Sequence, residues 1–211
     1  MAKVLILGAG GQIAQHVITK LSDRADADMT LYLREGANLG RSLPGNARII
    51  EGDVLDAVQL RQAMTEQDVV YANLSGAVDQ QAREIIDAME KEGVERLIFV
   101  TSLGIYDEIP GKFGAWNREQ IGKYLPPYRR AADAIEASNL DYAILRPAWL
   151  TDSDEDVYET TSRDQPFKGT EVARQAVAAL IVDLLNQDRP LGRRNLGVSK
   201  PGTDGDKPTF A

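Results

Sequence analysis

An apolar run, Lys3-Val4-Leu5-Ile6-Leu7, passes without a break into Gly8-Ala9-Gly10-Gly11-Gln12-Ile13-Ala14, and a helical stripe begins at Ile13. No other feature of the 211-residue chain constrains its fold so tightly. A strand that ends in clustered glycines and turns at once into a helix is the local context of a pyrophosphate-binding turn. Two physical needs meet there. Glycines let the backbone turn sharply and approach a ligand's phosphates closely, and the helix start offers unpaired N–H groups with a partial positive charge. The spacing runs G-x-x-G-x-x-A from Gly8 to Ala14, with a small third residue that lets helix and strand pack tightly. On this reading Gly8, Gly10, Gly11, Gln12 and Ile13 form the wall against which a dinucleotide lies.

The rest of the chain repeats the strand–helix alternation. Short apolar runs predict strands at Lys3–Leu7, Met29–Leu33, Ala47–Glu51, Val69–Leu74, Arg96–Thr101, Tyr142–Leu145 and, more weakly, Asn195–Val198. They lack strict alternation, as strands covered on both faces do. Between them, Ile13, Ala14, Val17, Ile18 and Leu21 make an i, i+4 stripe, as do Ala82, Ile85, Ile86 and Met89. The stripe from Val172 through Leu185 predicts the longest helix. This is the pattern of a doubly wound, mostly parallel α/β sheet with helices on both faces. Two segments break the rhythm. Residues 103–127, rich in Gly, Pro and aromatics, read as a long loop with a short helix, and the acidic stretch 150–169 reads as a solvated loop. Both belong to one domain spanning 1–198, as loops enlarged at the carboxyl edge of the sheet, where substrates are held. The tail 199–211 reads as a surface-tracking or disordered end.

Composition removes several function classes. Lys and Arg number 24 and Asp and Glu 32, so 24 − 32 gives a net charge of −8. That balance argues against nucleic acid and against an anionic membrane surface as partners. No apolar run approaches the roughly 18–20 residues of a membrane span, and the start lacks a signal-peptide pattern. Zero cysteines exclude thiolate chemistry, and a single histidine excludes a multi-histidine metal site. No metal is expected. A cytoplasmic protein is expected, with a homodimer left open.

Beyond the glycine turn, the motifs resemble the short-chain dehydrogenase/reductase superfamily in its atypical and extended branches. Glu51-Gly52-Asp53-Val54 is similar to the family's G-D turn. Asp68 to Gly76 resembles its fourth strand and following loop, and Arg96 to Gly104 its fifth strand with a terminal serine. Ser138 to Pro147 is similar to the S-x-L-D-x-T-I-x-R-P run, and Gly169 to Arg174 fits a helix start. Together with the glycine turn, these five matches fall in order over about 165 residues. By pattern the chain resembles small NAD(P)H-binding proteins like the flavin/biliverdin reductases and the NmrA-like dinucleotide sensors. The resemblance implies a Rossmann-type domain. It implies that Asp53 and Val54 hold adenine, that Leu74, Ser75 and Gly76 flank the cofactor ribose, and that Thr101, Pro147 and Trp149 lie by the nicotinamide.

Arg34 follows the second strand, where an NAD enzyme usually places an acidic residue for the ribose 2′-hydroxyl. A guanidinium there can pair with a 2′-phosphate for roughly 1.5–3 kcal/mol, so NADPH is expected in preference to NADH. Arg41 is a candidate second phosphate ligand, and Glu35 offers the ribose an alternative partner.

In the family, carbonyl reduction uses Ser, Tyr and a Lys four residues after the Tyr. Ser102 and Tyr128 match as candidate catalytic residues, but Ala132 stands where the lysine would be. Arg129 and Arg130 are placed round the helix from Tyr128. A tyrosine without a cationic partner stays protonated at neutral pH. It can donate a proton but is a poor base. Hydride transfer to a small conjugated acceptor such as a quinone or flavin asks less of it. Trp149, and Trp116 in the loop, could wall such an acceptor or pack in the core. Two functions are expected from this reading: an NADPH-dependent oxidoreductase, or a non-catalytic NADP(H)-sensing regulator.

Overall fold

Along β1 (Lys3–Leu7), Val4 and Ile6 enter one hydrophobic core while Leu5 and Leu7 enter another. The unbroken apolar run is therefore a strand buried on both faces. The computed structural model describes residues 2–23, 28–34, 39, 45 and 47–211. After β1 come α1 (Gln12–Ser22), β2 (Asp28–Leu33), β3 (Ala47–Glu51), α2 (Ala57–Met64), β4 (Val69–Ala72), α3 (Val78–Glu92) and β5 (Arg96–Val100). Then follow α4 (Gly111–Ile121), a single 3-10 turn (Gly122–Tyr124), α5 (Leu125–Ala137), β6 (Asp141–Pro147), β7 (Trp149–Thr151), β8 (Glu159–Ser162), β9 (Glu171–Ala173), α6 (Arg174–Asn186) and β10 (Arg194–Ser199).

Eight strands form one sheet in the order β3-β2-β1-β4-β5-β6-β10-β8, parallel except for the antiparallel β10–β8 pair. The expected doubly wound Rossmann-type fold is the observed one. The chain winds outward from β1 through β2 to β3, and in the other direction from β4 through β5 to β6. The strand order reverses between β1 and β4, and a crevice opens there at the carboxyl ends. On one face α1 packs against α6. On the other, α3 packs against both α2 and α5.

The expected loops are more ordered than their composition suggests. Most of 103–127 is helical: α4 takes Gly111–Ile121, and α5 already begins at Leu125 with prolines in its first turn. Within 150–169, β7 reaches Thr151 and β8 pairs with β10, while β7 and β9 form a separate two-stranded parallel sheet. A strand therefore stands at 171–173, where a helix start was expected, and α6 begins at Arg174. The longest helix is α3, with 15 residues, not α6, with 13.

The acidic stretch is not simply solvated. Asp152 pairs with Arg174 at 2.8 Å, Asp156 with Lys20 at 2.8 Å and Glu155 with Lys200 at 2.9 Å. The tail is irregular, as expected, yet anchored. Thr170 Oγ1 donates to Thr203 O at 2.7 Å, Thr209 N and Oγ1 donate to the Glu171 carboxylate, and Pro208 is buried.

Candidate active site

The glycine turn gets its shape from β4. Gly8 has φ +79, and a Cβ on it would lie 2.2 Å from the backbone oxygen of Asn73. A Cβ on Gly11 would lie 2.0 Å from Asn73 Nδ2. Asn73 follows β4 and is tied by its N–H to Leu7 O at 2.9 Å. Gly8 is thus required by backbone close to it and by its positive φ, before any ligand is considered, while at Gly11 a Cβ would have to displace the Asn73 side chain. Gly8 N donates to Tyr32 O at 2.9 Å, Gly11 N to Gly8 O at 2.9 Å, and α1 starts at Gln12. No side chain caps that start, and its first turn holds no acidic residue. The N–H groups and positive end of α1 remain available to an anion.

A cleft of about 470 Å³ lies over this turn. It brings together eight of the expected cofactor residues: Gly8, Gly10, Gly11, Arg34, Asp53, Val54, Leu74 and Ser75. Tyr32, Leu33, Gly52, Asn73 and Gln81 complete the lining and were not among those expected. Tyr32 is buried, and its hydroxyl donates to Asp53 O at 2.9 Å, bracing the turn after β3. Burial, helped by Asp56 and Asp53, pushes its pKa up to about 12. Asp53 Oδ1 accepts from Leu55 N at 2.9 Å. Arg34 and Asp53 are the charged residues of the lining, one of each sign. Arg41 and Glu35 lie outside the described residues.

Six expected cofactor residues stand apart from this lining. Gln12 is exposed, whereas Ile13 is buried in the core between α1 and the sheet, so only its backbone can face a ligand. Gly76 is exposed with φ +87. Thr101 is buried, and both its N–H and its hydroxyl donate to Leu145 O, which commits it to the sheet. Pro147 ends β6 in a buried position. Trp149, half-buried, donates Nε1–H to Asn117 Oδ1 at 2.9 Å and packs on Trp116 with ring centres 4.8 Å apart. Phe113 stacks on Trp116 in turn, at 6.1 Å. Asn117 is fully buried on α4. Nothing local in the sequence singles it out.

Of the candidate catalytic pair, Ser102 Oγ donates to Leu103 O at 3.2 Å and Tyr128 Oη donates to Leu74 O at 3.5 Å, rather than to each other. Tyr128 therefore sits against a residue of the cleft wall, and burial raises its pKa above the ordinary tyrosine value. Its hydroxyl stays protonated through the neutral range. None of the seven tyrosines is followed by lysine four positions on. Ala132 is fully buried in the core beneath α5. Arg129 pairs with Asp133 at 2.8 Å and Arg130 with Asp79 at 2.8 Å, so both guanidinium groups are engaged elsewhere.

The loop after Ser102 is held by an ion pair out of solvent. Arg146, at the end of β6, is 0% exposed, and its partner Glu108 is 5% exposed. Arg146 also donates to Asn195 Oδ1 at 2.8 Å. Glu108 accepts from Gly104 N at 3.0 Å and Tyr106 N at 2.9 Å.

A parallel sheet with a glycine turn and cleft at its switch point defines a Rossmann-type, dinucleotide-binding class of protein. The chain belongs to the NAD(P)H-binding family, whose sequence profile matches residues 8–188. It is similar to a Rossmann-fold NAD(P)-binding family protein from Shigella flexneri, with 52% identity, 100% of each chain covered and a TM-score of 0.86. It is also similar to a short-chain dehydrogenase/reductase from Veillonella parvula solved in complex with NADP, at 32% identity over 100% of each chain with a TM-score of 0.89. ChuY, an anaerobillin reductase from Escherichia coli O157:H7, matches at 25% identity over 96% of this chain and 99% of that one, with a TM-score of 0.80. The chain is thus an NAD(P)-binding member of the oxidoreductases related to the short-chain dehydrogenases/reductases, and its cofactor is a nicotinamide dinucleotide.

Proposed function

We propose that this protein is an NADPH-dependent reductase that transfers hydride to a small conjugated acceptor such as a quinone or flavin. The observation that carries the reading is Tyr128, set against Leu74 of the cleft wall, with Ala132 rather than lysine four residues on and with Arg129 and Arg130 paired to Asp133 and Asp79. The residues present fit the cofactor. Gly8, Gly10 and Gly11 line the cleft without side chains, and the uncapped start of α1 suits a pyrophosphate. Arg34 at the end of β2 suits a 2′-phosphate. Gln12, Ile13 and Gly76 would contribute through backbone near the turn and ribose, and Thr101, Pro147 and Trp149 through the edge beside the nicotinamide.

Bound NADPH supplies a hydride. The chain's own residues hold the acceptor and manage one proton. Reduction of a quinone or flavin leaves a delocalised anion, which takes its proton from Tyr128 or from water without needing a lowered tyrosine pKa. Alcohol oxidation or sugar epimerisation would need Tyr128 as a base, and burial without a cation opposes that. Half-buried Trp149, tilted by 54° against Trp116, supplies the aromatic wall for a conjugated ring on this reading. ChuY, a reductase, supports a conjugated acceptor.

The test is NADPH oxidation against a panel of quinones, flavins and aldehydes, with NADPH binding measured in parallel. Turnover with a quinone or flavin above that with any aldehyde is expected. Tight NADPH binding with no turnover across the panel would overturn the reductase and leave the sensing regulator.

A further inference from the structure

Among the described residues, the cleft lining contains one buried side-chain polar atom without a hydrogen-bond partner. Gln81, in the first turns of α3, lines the cleft, and its Oε1 is shielded from water yet accepts no hydrogen bond among the described residues. A buried amide oxygen without a donor is costly and calls for a ligand or water that supplies one. Its position indicates which part of a ligand that is. The glycine turn and the start of α1 take the pyrophosphate, and Arg34, at the end of β2, takes the phosphate of the adenosine ribose. The adenosine therefore lies on the β2–β3 side of the crevice. What remains of the cleft on that side is bounded by Gly52-Asp53-Val54 after β3 and by Gln81 on α3. These two walls belong to neighbouring elements, because α2 packs directly on α3.

We propose that Gln81 is a base-reading residue, which accepts a hydrogen bond from the exocyclic amine of the cofactor's adenine. The assignment rests on the dinucleotide reading above. Its chemistry is one of matched numbers. An exocyclic amine carries two N–H donors, and this end of the cleft offers two side-chain acceptors, the Asp53 carboxylate and the Gln81 amide oxygen. Gln also has the shape to donate from Nε2 to a ring nitrogen of the same base. A base that carries a carbonyl in place of the amine presents an acceptor to both oxygens and is disfavoured.

The experiment compares binding of NADPH with that of its hypoxanthine analogue, in which a carbonyl replaces the amine, by calorimetric titration of the full chain. The wild type is expected to prefer NADPH. Gln81→Leu should weaken NADPH about two- to twelvefold, the effect of one neutral hydrogen bond, and leave the analogue unchanged or bound more tightly, so the preference shrinks by at least that factor. Gln81→Glu keeps an acceptor oxygen and should retain the preference even if added charge weakens both ligands. Gln81→Ala, with its smaller side chain, serves if the leucine variant does not fold. Equal losses for both dinucleotides, or no loss for either, would overturn the assignment while leaving the cofactor reading intact. Failure of the wild type to bind either dinucleotide would overturn both.

Discussion

Replacing Arg146 with methionine should cost this protein a large part of its stability. The guanidinium is 0% exposed and its partner Glu108 5%. The substitution leaves a carboxylate in place without its counter-charge, with only the N–H groups of Gly104 and Tyr106 as donors. It also removes the 2.8 Å bond to Asn195 Oδ1. Breaking one side of a buried ion pair costs about 3–5 kcal/mol, against a total stability of roughly 5–15 kcal/mol. For a domain of this size, a loss near 4 kcal/mol lowers the melting temperature by roughly 8–16 °C. Glu108→Gln keeps an acceptor for the two backbone N–H groups but strands the arginine. The double variant Arg146→Met with Glu108→Gln buries no charge, so it should lose less than the two single variants summed, with a coupling of about 1–3 kcal/mol. Urea unfolding of the four proteins measures this. Single-variant losses below about 1 kcal/mol, the scale of a surface pair, or strict additivity would refute the claim that this pair pins the loop after Ser102.

Tyr128→Phe should cost little stability, because its hydroxyl makes only a 3.5 Å bond to Leu74 O. Turnover should fall less than about tenfold with a quinone or flavin but about 10²–10⁴-fold with any carbonyl substrate accepted, as steady-state rates will show. Ala132→Lys cannot simply restore the family's missing cation, since Ala132 is fully buried; a lower melting temperature is expected, and an unchanged one would show that the site opens to solvent. Burial raises the pKa of both Tyr32 and Tyr158 from 10.0 to about 12. The stability these tyrosines contribute is fully present below pH 10.0 and lost as pH rises towards 12, so denaturant midpoints should drop across that window, and a flat profile would contradict the burial argument.

The strands of the parallel core were legible because burial on both faces leaves an unbroken apolar run, as in β1 and β5. The glycine turn was legible because strand, clustered glycines and helix follow one another directly in the chain, although the contact that requires Gly8 comes from Asn73 across the crevice. What stayed hidden depends on distant partners. Edge strand β8 reads Glu-Thr-Thr-Ser and carries no apolar signal; only its pairing with β10 makes it a strand. Helix α4 contains Gly114, which looks like a loop residue, yet a Cβ there would lie 2.1 Å from Ile109 O, so glycine permits the close packing. Asn73 and Gln81 are ordinary polar residues until the crevice places them in its lining. Arg146 and Glu108 stand 38 positions apart, and Trp149 and Asn117 32, beyond the reach of any local pattern. Ile13, at the head of the helical stripe, turns its side chain to the core, which leaves only its backbone to the turn.

The central claim is that the cleft at the β1–β4 switch point holds a phosphorylated nicotinamide dinucleotide. Calorimetric titration of the wild type and of Arg34→Ala with NADPH and with NADH tests it most directly. The account predicts one site per chain and tighter binding of NADPH, with a loss of roughly 1.5–3 kcal/mol in Arg34→Ala that spares NADH. Absence of binding by either dinucleotide, or a wild-type preference for NADH, would contradict it.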